Sequence, residues 1–183
     1  GLVYHGLDDN QTAQQYCKRA LAIQQEVGDR RGQGYSLTYL GHALAGLGEF
    51  EAAAKAYDEA LQLRRELGQQ GLTMDDLAGL ARVAMAQGQA QHAREQVNEI
   101  LAWLDANGAS GIEYPLQVYL TCYQVLRATT DGDPAAMERA QAILTTAYNT
   151  LMEQTDRVRD PALRQSFLEG IQANREIVVA WKG

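Results

Sequence analysis

Proline is nearly missing from this chain: three residues in 183. Proline removes a backbone donor and breaks helices. Its scarcity, with abundant Ala, Leu, Gln and Glu, favours helix throughout. Cysteine is equally sparse. Cys17 and Cys122 are far apart, with no CxxC and no neighbouring histidine. That spacing predicts buried thiols acting as small hydrophobes rather than a disulfide or a metal knot. No stretch approaches about 18 apolar residues, which excludes a helical membrane span, and no secretory leader is expected. Positive charge is in deficit: 16 Lys and Arg against 23 Asp and Glu, a formal net charge of −7. Phosphate-binding surfaces need clustered cations, so nucleic acid is not an expected partner.

Catalytic constellations are lacking too. His5, His42 and His92 fall in different segments, and there is no HExxH and no Cys–His pair. Gly46-Leu-Gly48 has neither the strand nor the spacing of a nucleotide loop. Asp131-Gly-Asp133 lacks the downstream Glu of a calcium loop. We therefore expect no catalytic residues, no metal, no cofactor and no enzyme activity. Charged pairs along helices, such as Glu59 with Arg64, read as a solvated face.

What the chain does contain is a repeat. Gly1, Gly41 and Ala81 recur at an interval of 40, as do Ala13, Ala53 and Ala93; Cys17, Tyr57 and Val97; and Ala20, Ala60 and Ile100. Gly48 lands on Gly88. Small residues at Gly41 and Ala53 allow close helix approach. Leu37, Leu40, Leu44 and Tyr57 fill the seam, Ala60 and Leu61 meet the next repeat, and Gly48 supplies the positive φ of a tight turn. The expected segments are 1–28, a repeat lacking its start, then 32–70, 72–107, an enlarged 112–155 and a closing 160–181. Residues 1–6 read as the tail of a helix, so the chain is expected to be a piece of a longer protein. Asp8-Asp9-Asn10 is a capping turn. Gly68 and Gly71 are expected to break the second repeat, with Thr73 and Asp76 as a capping-box variant after them. Ile112–Thr129 and Ala135–Thr155 read as helices, with Ala140, Ile143, Leu144, Ala147, Tyr148 and Leu151 inward. Asp160-Pro161 opens a last helix with a break expected near Gly170–Asn174. Phe167 and Trp181 are expected to cover the end of the stack.

Leu37-x2-Leu40-Gly41-x2-Leu44, then Ala53-x3-Tyr57 and Ala60, resembles the tetratricopeptide (TPR) pattern W-x2-L-G-x2-Y…A-x3-F. It departs from that pattern in having Leu37 at the aromatic position, Arg65 near the closing proline and 40 residues per repeat. With Gly28-Asp-Arg-Arg-Gly32 as a linking turn, it is similar to a long-helix subclass. The tail, Asp160-Pro-x-Leu-Arg-x-Ser-Phe-Leu-Glu…Asn174-Arg-Glu-Ile177…Trp181, resembles the terminal TPR segments of large bacterial regulators: STAND-type ATPases, LuxR-like or SARP-like transcription factors and TPR-bearing cyclases.

The resemblance implies an all-α, right-handed TPR solenoid of about 3.5 repeats plus a capping helix. It implies a cytoplasmic interaction or sensor module with no catalysis of its own. First helices of TPR repeats line a concave groove, which places Tyr35, Thr38, Tyr39 and His42, then Asp75, Ala78, Arg82 and Met85, then Pro115, Val118, Tyr119 and Cys122 on it; His5 falls near His42. Tyr and Arg are enriched at binding hot spots, so Tyr35, Tyr39, His42, Arg82 and Tyr119 lead the expected contacts to a peptide or protein. An alternative for Tyr39 and Tyr119 is packing between repeats. Thr38, Tyr39 and His42 stand where chaperone-binding TPRs carry Lys and Asn, so a terminal-carboxylate clamp is not expected. The alternative function is self-association, with a homodimer through the open N-terminal end around Leu2, Tyr4, Cys17 and Leu21.

Overall fold

The computed structural model describes residues 9–130 and 132–183, and among these it contains nine α-helices and no strand. The expected helix tail at 1–6, His5, and the Leu2 and Tyr4 surface lie outside the described residues, as does Asp131. The chain divides into two compact units, residues 1–113 and 114–183.

The first unit holds α1 (Asn10–Glu26), α2 (Arg30–Gly46), α3 (Phe50–Glu66), α4 (Gln70–Ala86) and α5 (Ala90–Asn107). Each helix starts 20 residues after the last, so the 40-residue sequence period is two helices joined by equivalent turns. The turn at Gly48 shows why. Gly48 has φ +77°, the left-handed region that glycine enters without steric cost. Its N–H donates to the Ala45 carbonyl (3.0 Å), and the Glu49 N–H reaches back to Leu44 (2.9 Å). This is a Schellman closure, and it satisfies carbonyls that a helix end leaves bare. Gly28, Gly68 and Gly88 repeat the same pair of bonds. Asp9 and Asp29 cap the following helices by accepting from Thr12 N (3.0 Å) and Gly32 N (2.9 Å).

Consecutive helices pack in order, and α2 also touches α4. Their seam is filled by Tyr57 of α3, whose side chain is fully buried. Its ring lies between two glycines. A Cβ on Gly41 of α2 would fall 2.7 Å from the ring, and one on Gly79 of α4 would fall 2.5 Å from it. Ala60, expected to meet the next repeat, clusters with Leu37 and Leu63, with Leu21 of α1 against them. Cys17 and Cys122 are both free and buried, as their spacing suggested.

The Glu59–Arg64 expectation is corrected. Arg64 is 1% exposed. It falls on the inward stripe Ala53–Tyr57–Ala60–Arg64 of α3, while Glu59 pairs outside with Lys55 at 3.9 Å. Arg64 Nη1 donates to Asp76 Oδ2 (3.0 Å) and to the Leu72 carbonyl (2.7 Å), and its guanidinium lies 5.2 Å from the Tyr35 ring centroid. The Thr38 hydroxyl sits 2.6 Å from Asp76 Oδ1 and 3.0 Å from the Gly34 carbonyl. Thr73 and Asp76 are therefore not a capping box: α4 begins earlier, at Gln70, and both side chains are buried within it. Gly71 is inside the first turn of α4 rather than a breaker. It is small because a Cβ there would fall 2.6 Å from the Gly111 carbonyl carbon.

The second unit holds α6 (Pro115–Thr129), α7 (Pro134–Asp156), α8 (Pro161–Gly170) and α9 (Gln172–Lys182). The expected helix start at Ile112 is corrected to Pro115, since a proline at the first helical position and positive φ at Gly111 delay it. Asp133 and Asp160 cap α7 and α8 through Ala135 N and Ala162 N. Ala140, Ile143, Leu144, Ala147 and Leu151 are buried as expected. The tail breaks at Ile171, which is extended (φ −95°, ψ 121°). Trp181 stacks on Tyr148 at 4.6 Å between centroids, and Asn174 ties α9 to α8 by donating to the Phe167 carbonyl (2.8 Å).

Two stability measurements test this packing. Gly79→Ala, favoured by helix propensity by about 1 kcal/mol, is expected to destabilise instead, because overpacking costs about 1–3 kcal/mol and Gly41 blocks the ring's retreat. Urea unfolding showing a gain would mean that Tyr57 is not wedged. For the buried pair, burial raises the Asp76 carboxyl to about 7, against the pull of Arg64 and Thr38. A protonated Asp76 can donate to Thr38, leaving the single threonine proton for Gly34. The aspartate can thus discharge, whereas arginine cannot. Asp76→Leu is expected to cost about 3–5 kcal/mol by stranding Arg64, and Arg64→Leu distinctly less. A carboxyl raised on folding binds its proton more tightly in the folded state, so its contribution is full below the unfolded value and is lost as pH rises through about 7. Wild type should therefore lose stability relative to Asp76→Asn between about pH 4 and 7, and parallel curves would contradict this.

Candidate functional site

Tyr35, Tyr39 and His42 occur at i, i+4 and i+7 on α2 and share one helical face. Tyr35 is 36% exposed, and Tyr39 and His42 are half-buried. On α4, which touches α2, Arg82 and Met85 are also half-buried, one turn apart. The expected residues Tyr39, His42 and Arg82 come together: Arg82 Nη2 is 3.4 Å from His42 Nδ1, and the Tyr39 and His42 rings are 6.1 Å apart.

Others on the expected list face elsewhere. Thr38 and Asp75 are buried, at 2% and 4% exposure. Thr38 holds Asp76, and Asp75 Oδ2 accepts from the Glu113 N–H at 2.9 Å. Tyr119 and Cys122 are buried on α6 in the second unit. Burial pushes the Cys122 thiol up to about 12 and raises the Tyr119 phenol, which leaves the cysteine an inert packing residue.

Beneath this half-buried cluster, Tyr57 is T-shaped against the His42 ring, with its hydroxyl 2.6 Å from His42 Nδ1. Burial pushes the Tyr57 phenol up to about 12; the Arg82 guanidinium, hydrogen-bonded to it, pulls only partly the other way. The phenol therefore keeps its proton at any ordinary pH.

Glu113 was not anticipated. The segment 109–113 lies on the first turns of α4, with Gly111 against Gly71. From there the Glu113 carboxylate accepts from the Tyr39 hydroxyl at 2.7 Å. Tyr39 and Glu113 are 74 residues apart, and nothing in the repeat pattern pairs them; only the two facing glycines hint at the crossing.

A separate shallow basin of about 530 Å³ lies on the outer side of α3, where Ala54 sits among charged and amide side chains such as Lys55, Asp58, Glu59 and Gln62. Among the described residues no His, Cys, Asp and Glu cluster could hold a metal ion, and no helix is long and apolar enough to cross a membrane.

Residues 1–66 match a family model described as Tetratricopeptide repeat. No curated protein and no solved structure matches the chain. Repeats of this family generally mediate protein–protein interaction. The match over the first helices and the regular helix–turn–helix packing of the described residues together support an all-α tetratricopeptide-type array.

Proposed function

We propose that the chain is a recognition module that binds a peptide or protein segment across α2 and α4, as part of a larger bacterial signalling or transcriptional regulator of the long-helix TPR subclass, working in the cytoplasm. The observation that carries the binding reading is the juxtaposition of Tyr39, His42 and Arg82, half-exposed, over a buried Tyr57. Aromatic and arginine side chains on a rigid, pre-ordered base lose little entropy on binding. Tyr35 extends the face by one turn, and its packing on buried Arg64 fixes its ring. Partner binding there would be transmitted to whatever effector domain the regulator carries. Catalysis and cofactors have no part in this reading.

Pull-down from native cell extract with Tyr39→Ala/Arg82→Ala, against Lys55→Ala/Asp58→Ala in the charged basin, tests it. The first variant should lose the partner at least tenfold while circular dichroism stays helical. Equal capture by both variants would remove the α2–α4 face from the reading.

Self-association is the second reading, favoured by an apolar stripe along α1 and its C-cap. Tyr16, Ile23 and Val27 are 45%, 57% and 71% exposed. Their counterparts one repeat on, Ala56, Leu63 and Leu67, are buried or partly buried. Light scattering at high concentration should then give a dimer mass that Ile23→Glu halves; a monomer throughout would end this reading.

A further inference from the structure

The chain after α5 departs from the other turns of the first unit. Gly28, Gly48, Gly68 and Gly88 each end a helix, and the next helix starts two residues later. After α5 the chain instead runs from Gly108 to Tyr114 before α6 begins at Pro115. Gly108 stands at φ +59°, ψ −150°, a region that in practice only glycine occupies. Residues 108–113 are exposed except for half-buried Ala109 and Ile112, and they add nothing to the buried core. The Ile112 N–H turns back to the Ala109 carbonyl at 3.2 Å. The segment is held to the helices around Glu113. Its N–H donates to Asp75 Oδ2 of α4 (2.9 Å), and its carboxylate accepts from the Tyr39 hydroxyl of α2 (2.7 Å). Asp75 lies one 40-residue interval after Tyr35, so the crossing falls at the Tyr35–Tyr39 end of the candidate face.

From this arrangement we infer that residues 108–113 form a releasable strap, hinged at Gly108 and latched by Glu113 over the Tyr39 end of the α2–α4 face, which a segment binding that face has to displace. The inference rests on the binding reading above and adds regulation to it. A stretch with little apolar burial and a few polar anchors belongs to the least stable part of a fold and opens before the rest. Each anchor at Glu113 is exchanged for water on release, so its net worth is roughly fivefold in the equilibrium between closed and open. Closure is specific all the same. Gly111 fits against Gly71, where a Cβ would fall 2.6 Å from the Gly111 carbonyl carbon. Tyr39 is already engaged by Glu113, so a partner gains it only at the expense of the strap, and its apparent affinity falls by the fraction of chains that are open.

Two measurements on the whole chain test it. Amide hydrogen exchange reads the strap without any partner: the Glu113 N–H reports closure, and the N–H of buried Leu77 in α4 reports the fold. Tyr39→Phe removes the latch hydroxyl. Gly108→Ala adds a methyl that meets no atom within 4 Å but strains the closed backbone. Each should speed exchange at Glu113 roughly fivefold and leave Leu77 unchanged. Failure of either variant to do so, or acceleration at Leu77 in step with Glu113, overturns the strap. The second measurement is the concentration of immobilised chain that half-depletes the captured protein from native cell extract. Gly108→Ala and Glu113→Ala release the strap by unrelated means, and both should lower that concentration about three- to fivefold. An unchanged value overturns the competition, and a raised one makes the strap part of the binding surface instead. Unchanged values alongside loss of capture in Tyr39→Ala/Arg82→Ala refute the strap and leave the binding face standing. Full capture by Tyr39→Ala/Arg82→Ala removes the face, and the competition falls with it.

Discussion

One aromatic ring links three helices and the candidate binding face. Tyr57 is carried by α3, seated on Gly41 of α2 and Gly79 of α4, and buried completely. A Cβ added at either glycine would fall within 3 Å of the ring, so the ring or a helix would have to shift. Since Tyr39 and His42 ride on α2 and Arg82 on α4, the distance between them is set by that ring. Its hydroxyl adds a second constraint, because it meets His42 Nδ1 at 2.6 Å and so orients the imidazole as well as locating it. Packing at one buried residue thus decides both the spacing of the surface above and the placement of its imidazole.

The ion pair two turns further along α3 plays a different part. Arg64 and Asp76 have side-chain exposures of 1% and 0%. Arg64 Nε and Nη2 find no hydrogen-bond partner. Desolvating two charges costs more than an incompletely bonded pair returns, so stability alone is a poor reason for this arrangement. Register is a better one. The pair closes only when α3 and α4 are aligned so that Arg64 also reaches the Leu72 carbonyl and Asp76 reaches Thr38 on α2. Sliding one helix by a turn would strand an arginine in the core. With Tyr35 lying on the guanidinium, the same pair supports the far end of the candidate face.

The architecture was legible because the repeat states it twice. The Gly48 and Gly88 column predicts a turn, and both residues have positive φ. The Ala53 and Ala93 column predicts close packing, and both are fully buried. What misled was treating residue type as placement. Arg64 reads as surface by charge, yet 53–57–60–64 is one helical stripe whose other members are Ala, Tyr and Ala, and following that stripe would have placed it inside. Gly71 reads as a breaker by composition, yet its size answers a backbone crossing from residue 111 that no local pattern announces. Thr38 and Asp75 lie on the expected helices but are turned inward, because a 3.6-residue helix gives neighbours such as Thr38 and Tyr39 different faces.

The candidate face was therefore half legible. Register put Tyr39, His42 and Arg82 on neighbouring helices of the same kind, which is a statement about position along the repeat. That they touch is a statement about the gap between helices, which depends on Gly79 and Tyr57, and Gly79 is outside the repeat columns. Glu113 lies further still from any sequence signal, since it reaches Tyr39 only because the chain after α5 turns back over α4. An array built from identical turns generates a uniform scaffold. Its individuality comes from the residues that break the repeat: the buried arginine, the second glycine seat and Glu113 in the segment that crosses α4. Specific recognition, if it resides in this scaffold, has to be sought in those departures, because the repeated columns are fully used in holding the helices together.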